Sequence, residues 1–223
     1  MRMTTLAASL LLALAMALPV AAADKKPTTL EERVSYGIGM NIGRDFKGKG
    51  FEVNPDLLAR GIKDVLAGGE LLMTEDEVRQ TIMELQQVLQ EKAAAKNRAE
   101  GEAFLAANRK KDGVKVTASG LQYRVIREGD GATPGPDSTV TVNYRGALVD
   151  GTEFDSSYKR GKPATFQLNR VIRGWTEGLQ LMKAGGKYEF VLPADLAYGE
   201  QGAGQVIGPN SVLIFEVELL EVN

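Results

Sequence analysis

The sequence contains no cysteine and no histidine. Without them there is no disulfide framework, no thiolate nucleophile, no imidazole base and neither of the usual zinc ligands. Ser-His-Asp and Cys-His arrangements are excluded in the same step. The carboxylates do not make a calcium loop either, because Asp150, Glu153 and Asp155 lack the glycine and distal glutamate spacing of an EF-hand. Most hydrolase and metalloenzyme chemistry ends there, and no metal and no organic cofactor is expected. An excess of charge of one sign is also missing: 27 basic against 29 acidic residues leave a formal net charge of -2. The field that draws a protein to a phosphate backbone is therefore weak, and nucleic acid is not expected as a partner.

Long apolar runs are scarce, and the one present is N-terminal. Arg2 is the only charge in the first 23 residues, a mostly apolar run spans Leu6 to Leu18, Pro19 ends it, and Ala21-Ala22-Ala23 precedes Asp24. The run falls short of the roughly 20 residues a bilayer span needs. Its order of charge, apolar stretch and small residues is that of a cleavable export signal. Residues 1–23 are read as a signal peptide. The product is then expected in the periplasm or cell envelope, or secreted, with no lipid-accepting cysteine and no membrane anchor after cleavage.

The rest of the chain has two halves of different period. From Lys25 to about Asp112 the pattern is helical. Thr29 and Glu32 are spaced as a capping box, and Asn54-Pro55-Asp56 supplies an N-cap followed by proline at the first helical position. Leu57, Leu58, Ile62, Val65 and Leu66 then recur at helical spacing up to Gly68-Gly69. Thr74 and Glu77 repeat the capping box ahead of Val78, Ile82, Leu85 and Leu89. Beyond Leu89 the apolar stripe fades into an Ala, Lys and Glu-rich stretch, which reads as a long connector crossing solvent, with Gly101 either a weak point or a small loss of helix propensity. Gly37, Gly39 and Gly43 do not match a dinucleotide fingerprint, since the third glycine falls one place late and no strand precedes them. They would instead let another helix approach closely.

After Gly113 the period changes to two. Leu121, Tyr123 and Val125 alternate, as do Val140, Val142 and Tyr144, and Leu213, Phe215, Val217 and Leu219. Asp150-Gly151 suits a hairpin turn, Gly185-Gly186 precedes another strand, and Ile172, Trp175 and Leu179 share a helical face. This pattern predicts an α+β fold, an antiparallel sheet wrapped on one short helix. The divisions are a helical domain at 24–73, a long connecting helix at 74–112 and the α+β domain at 113–223.

Several segments of this second half occur in the order of a known family. Val142-Asn143-Tyr144-Arg145-Gly146, Gly151-Thr152-Glu153-Phe154-Asp155-Ser156-Ser157, Val171-Ile172-Arg173-Gly174-Trp175, Asp195-Leu196-Ala197-Tyr198-Gly199 and Ile207-Gly208-Pro209-Asn210 resemble the signatures of FKBP-type peptidyl-prolyl cis-trans isomerases. The helical half, through Ser35-Tyr36-Gly37-Ile38-Gly39, Asn54-Pro55 and Gly101-Glu102-Ala103-Phe104-Leu105, is similar to the N-terminal arm of the macrophage infectivity potentiator (Mip) group and its periplasmic relatives. The resemblance implies that the arm is a dimerisation domain making a homodimer. Two pockets on one dimer would raise the effective concentration for a long chain but not for a short peptide, so deleting Lys25 to Asn97 is expected to leave short-peptide turnover nearly intact.

By the same resemblance, Asp155, Tyr198, Tyr144 and Phe154 are the expected catalytic residues. Phe166, Val171, Ile172, Trp175, Ile207 and Phe215 would bind the substrate, with Trp175 as the floor and the Tyr198 hydroxyl and Ile207 N–H as donors to substrate carbonyls. Aromatic residues at such spacing are ordinarily just core, and a lone aspartate in a turn is ordinarily a backbone cap, so Asp155 carries both readings. The implied partners are unfolded or partly folded proteins with X-Pro bonds, with chaperone activity alongside, and macrolide inhibitors of the FKBP class. Ala164, Leu196 and Gly208 depart from the commonest family residues, which implies a more open rim beside Ala164 and a more mobile loop from Gly202 to Gly208.

Overall fold

The computed structural model describes residues 25–223, so the expected signal peptide lies outside the described residues. Two compact units divide between Leu72 and Met73.

In the first unit, α1 (Leu30–Gly48) and α2 (Pro55–Ala67) begin where their caps are written. The Thr29 hydroxyl accepts the Glu32 N–H at 3.1 Å, and the Glu32 carboxylate accepts the Thr29 N–H at 3.1 Å. Asn54 Oδ1 accepts the N–H groups of Asp56 and Leu57, and α2 stops at Gly68, whose φ of 61° is open to glycine at little cost. Neither helix has a buried residue, and Tyr36, Met40, Leu57, Ile62, Val65 and Leu66 are all exposed in the single chain.

The second unit starts with α3 (Glu75–Asn108), 34 residues behind the Thr74 and Glu77 capping box. At 1.5 Å per residue it is about 51 Å long. The stretch after Leu89, read as crossing solvent, packs against the sheet domain at its end. Gly101 and Asn108 are buried, and a β-carbon added to Gly101 would lie 2.7 Å from Val212 Cγ2. Gly101 is therefore more than a loss of propensity; it lets the helix approach Val212. Farther along, Asn108 Nδ2 donates to Gln122 Oε1 at 3.0 Å and Gln122 Nε2 donates to the Leu105 carbonyl at 2.9 Å. Asn108 is 3% and Gln122 1% exposed, so these amides satisfy one another where water cannot.

Strands β1 (Val114–Val116), β2 (Gln122–Arg127), β3 (Thr139–Leu148), β4 (Glu153–Ser156), β5 (Ala164–Gln167), β6 (Lys187–Leu192) and β7 (Leu213–Val222) pair only antiparallel. Their order is β1-β2-β6-β7-β3-β4, with β5 beside β3. The α+β arrangement read from the sequence is the one observed. Along β3 and β7 buried and less buried positions alternate, which puts Val140, Val142, Tyr144, Leu213, Phe215, Val217 and Leu219 on the core face. On the strands' other face, Arg127 pairs with Glu218 at 2.6 Å and Lys187 with Glu216 at 2.8 Å. Such exposed pairs add about 0–1 kcal/mol each, so burial rather than charge holds the sheet.

One short helix, α4 (Arg173–Leu179), packs on the core face. Seven residues cannot sustain a helix alone, and α4 persists because two bare positions bring it against the sheet. A β-carbon on Gly174 would meet Leu192 Cδ2 at 2.4 Å and the Leu196 carbonyl oxygen at 3.2 Å, and one on Gly178 would meet Phe190 Cε1 at 2.9 Å. Gly174→Ala sets propensity against packing. Alanine gains about 1 kcal/mol as a helix former, while overpacking costs about 1–3 kcal/mol. Because one obstacle is backbone, a net loss of about 1–2 kcal/mol is expected in urea unfolding, and an unchanged or higher midpoint would contradict this packing.

Candidate active site

The strands, α4 and the segments 170–172 and 198–207 line an open cavity of about 540 Å³. Its floor is Trp175, 4% exposed, and the indole is met edge to face by Tyr144 from β3 at 5.0 Å, Phe166 from β5 at 5.3 Å and Phe215 from β7 at 5.3 Å between ring centroids. Phe154 from β4 stands edge-on to Phe215 at 5.5 Å. These rings converge because Gly146 of β3 has no side chain: a β-carbon there would lie 2.6 Å from the Phe154 ring and 2.8 Å from the Phe215 ring. Val171 and Ile172, at the entry to α4, complete the apolar wall, and Asp155, Tyr198 and Ile207 stand with them. All ten residues singled out from the sequence line this one cavity. The aromatics are therefore core and wall at once. Ala164 is not among the lining residues, so Phe166 is the β5 contribution to the wall.

Polar groups collect on one side. The Tyr144 hydroxyl donates to Asp155 Oδ2, Arg160 Nη1 pairs with Asp155 Oδ1, and Arg160 Nη2 donates to the Tyr144 hydroxyl at 2.9 Å. The guanidinium lies over the Tyr144 ring, 5.4 Å from its centroid. Asp155 Oδ1 also accepts the Ser156 N–H at 2.8 Å, so both readings of this aspartate hold: it caps the backbone and faces the cavity. Burial pushes the Asp155 carboxyl up, but the Tyr144 hydrogen bond and the Arg160 charge outweigh it and hold the group below its ordinary range. Burial, then the bond to Asp155, pushes the Tyr144 phenol up, so it stays a protonated donor.

Two expected donors differ in state. The Tyr198 hydroxyl, on a side chain 41% exposed, has no hydrogen-bond partner among the described residues. The Ile207 N–H is taken, donating to the Ala203 carbonyl at 3.2 Å while Ala203 N–H donates to the Ile207 carbonyl at 2.8 Å. That reciprocal pair closes the loop expected to be more mobile.

Arg160, Arg170, Ala203 and Gly204 were missed from sequence. Arg160 sits in the charged run Lys159-Arg160-Gly161-Lys162, which reads as an ordinary solvated loop. Its five-residue separation from Asp155, matching a carboxylate to an arginine across a turn, was the only available signal. Arg170, Ala203 and Gly204 line the cavity without any pattern that marks them.

An antiparallel sheet wrapped on a short helix, with an aromatic cavity floored by tryptophan and edged by an ionised aspartate, defines a domain of the FKBP isomerase class. Residues 131–220 match the family described as FKBP-type peptidyl-prolyl cis-trans isomerase, and residues 31–125 match the domain amino terminal to it. The chain is 47% identical over 220 residues to the outer membrane protein MIP of Legionella longbeachae, covering 95% of this chain and 94% of that one. It is 46% identical over 202 residues to the FKBP-type 22 kDa peptidyl-prolyl cis-trans isomerase of Escherichia coli K12, covering 87% and 96%. The crystal structure of FkpA from Escherichia coli superposes with a TM-score of 0.68 at 38% identity, covering 89% of this chain and 99% of that one. The chain belongs to the FKBP-type peptidyl-prolyl cis-trans isomerases.

The polar network makes a titration testable. A depressed carboxyl contributes stability above its unfolded pKa, and that contribution is lost as pH falls through the folded pKa. The side-chain carboxyl of Asp155, followed by carbon NMR, is expected to titrate below the ordinary aspartate value of 3.8. Arg160→Ala should move the midpoint upward. A wild-type midpoint at or above 3.8, or no movement in the variant, would refute the balance of forces described.

Proposed function

We propose that this isomerase accelerates rotation of X-Pro bonds in exported proteins as they fold, by non-covalent stabilisation of the twisted amide. One observation carries the reading: the cavity is aromatic and apolar at its floor, with polar groups confined to its edge. An X-Pro bond rotates slowly because partial double-bond character sets a barrier of about 18–20 kcal/mol. Rotation breaks amide resonance and reduces the carbonyl dipole, so no nucleophile is required. Leaving water costs the planar, polar amide more than the twisted one, which is differential binding in favour of the transition state. A 10⁴-fold rate gain needs about 5.5 kcal/mol, within reach of a few such contacts.

In this scheme Trp175, Phe166, Val171, Ile172 and Phe215 hold the prolyl ring. Tyr198 donates to a substrate carbonyl, and Ile207 does so in exchange for its bond to Ala203. Asp155, oriented by Tyr144 and Arg160, faces the rotating amide, and Phe154 closes the apolar wall beside it. The same cavity would take macrolides of the class that binds FKBP domains, with less wall to contact at Ala164.

The first unit is assigned to homodimer formation. The supporting observation is that α1 and α2 bury nothing in the single chain while exposing an apolar set from Tyr36 to Leu66. So short a segment is too small to close a core alone, and a symmetric partner would cover this surface. Two cavities on one dimer raise the effective concentration for a long unfolded chain but not for a short peptide. A chaperone role is the second reading, resting on the same exposed apolar side chains. The leader pattern of residues 1–23 supports action in the periplasm or cell envelope, or after secretion.

Two measurements test these assignments. With a proline tetrapeptide, Asp155→Ala is expected to lower kcat/KM about tenfold, equivalent to about 1.4 kcal/mol, and Trp175→Leu more. Turnover equal to wild type in Asp155→Ala would remove that residue from the mechanism. If protection of an aggregating client falls in parallel with turnover in both variants, a separate chaperone surface is ruled out. Sedimentation of the chain from residue 24 onward should give a dimer at micromolar concentration, and a monomer there would defeat the assignment of the first unit.

A further inference from the structure

The cavity wall that carries Ile207 belongs to the segment between Tyr198 and Val212, which contributes no strand to the sheet. Part of its support comes from α3. Asn97 Nδ2 donates to the Pro209 carbonyl at 2.8 Å and lies 3.4 Å from Ser211 Oγ, and Ser211 Oγ donates to the Gly208 carbonyl at 2.8 Å. The carbonyls of Gly208 and Pro209 are therefore both held, one through Ser211 and one directly by the helix. An amide nitrogen has two hydrogens, so a single Asn97 can make both bonds.

The fit leaves no slack. A β-carbon on Gly208 would lie 2.8 Å from Asn97 Nδ2, and one on Gly101, one turn along the helix, would lie 2.7 Å from Val212 Cγ2. Residues 97, 101, 105 and 108 share one helical face, and that face is bound along its length: Asn97 to Pro209, Gly101 against Val212, the Leu105 carbonyl and Asn108 to Gln122.

We propose that Asn97 is a positioning residue for the isomerase cavity: from α3 it fixes the peptide units that follow Ile207, and so sets where the Ile207 N–H stands relative to the Trp175 floor. The lining of the cavity lies within residues 113–223, but one brace of its edge comes from α3. A deletion ending at Asn97 therefore removes that brace and is expected to raise KM for a short peptide.

The test uses the chain from residue 24 onward. Asn97→Asp keeps the shape, removes both donors and sets a carboxylate against the Pro209 carbonyl. For a short X-Pro peptide, kcat/KM is expected to fall about fivefold, the order carried by loss of the 2.8 Å bond to Pro209, the 3.4 Å one to Ser211 being weak, with the change carried by KM. The amide resonances of Ile207 and Gly208 should shift, and Tm should fall by no more than about 2–4 °C, which a loss of about 1 kcal/mol gives a domain of this size. Arg98→Ala, which breaks only the exposed ion pair with Glu200, is the control and should leave kcat/KM within about twofold. The amide shifts read the brace independently of turnover. Unmoved Ile207 and Gly208 amides with wild-type kinetics would overturn the proposal. A loss of activity that only tracks a lowered Tm would overturn it equally, reducing Asn97 to a structural clamp.

Discussion

Everything at the cavity depends on the Trp175 indole staying where three rings meet it edge-on. The positive edge of one ring against the negative face of another adds about 0.5–1.5 kcal/mol per pair beyond burial, and Trp175 takes part in three such contacts, with Tyr144, Phe166 and Phe215. Those rings come from β3, β5 and β7, while the indole comes from α4, so one cluster ties four elements together. The indole N–H has no oxygen or nitrogen acceptor among the described residues. Surrounding rings are weak acceptors at best, which leaves a buried donor without a strong partner among the described residues. Replacing the indole by an aliphatic side chain would relieve that donor and lose the ring contacts, so core and site cannot be varied independently here.

The cluster also explains where glycine is demanded. Gly146 makes room for the Phe154 and Phe215 rings, Gly174 for Leu192, and Gly178 for Phe190. Each lies inside a strand or helix, where glycine costs about 0.5–1 kcal/mol relative to alanine. Packing offsets that cost: without the close approaches α4 would stand off from the sheet and Trp175 would no longer reach the rings.

Period-two alternation and turn residues made β2, β3, β6 and β7 legible, and the two threonine capping boxes with Asn54-Pro55 marked the starts of α1, α2 and α3. Periodicity did not reveal β1, three residues long, or β5, where Ala164 and Gln167 break the alternation. The aromatic site residues were legible because their types and order are shared with a family. The polar partners were not. Arg160 and Asn97 are ordinary surface types, and their roles arise from atoms brought together across a turn or between a helix and a distant loop. The docked face of α3 escaped for a related reason: its contacts are made by Asn97, Gly101 and Asn108, and a search for apolar residues at helical spacing passes over small and amide side chains.

The state of Ile207 bears on how the site divides its work. Its N–H already donates to Ala203 at 3.2 Å, so engaging a substrate carbonyl exchanges a long hydrogen bond for another, and the net gain depends on how closely the loop presents that N–H. A carbonyl outside the rotating bond accepts equally well in the planar and twisted states, and such uniform binding lowers KM without raising kcat. In the proposed scheme the apolar floor acts differently, because it would distinguish the polar planar amide from its twisted form. On that reading the edge of the cavity holds the chain in register and the ring cluster supplies the discrimination. A brace that reaches only the edge, as Asn97 does through Pro209 and Ser211, acts on binding, while the rings that carry rate are secured by the sheet and α4.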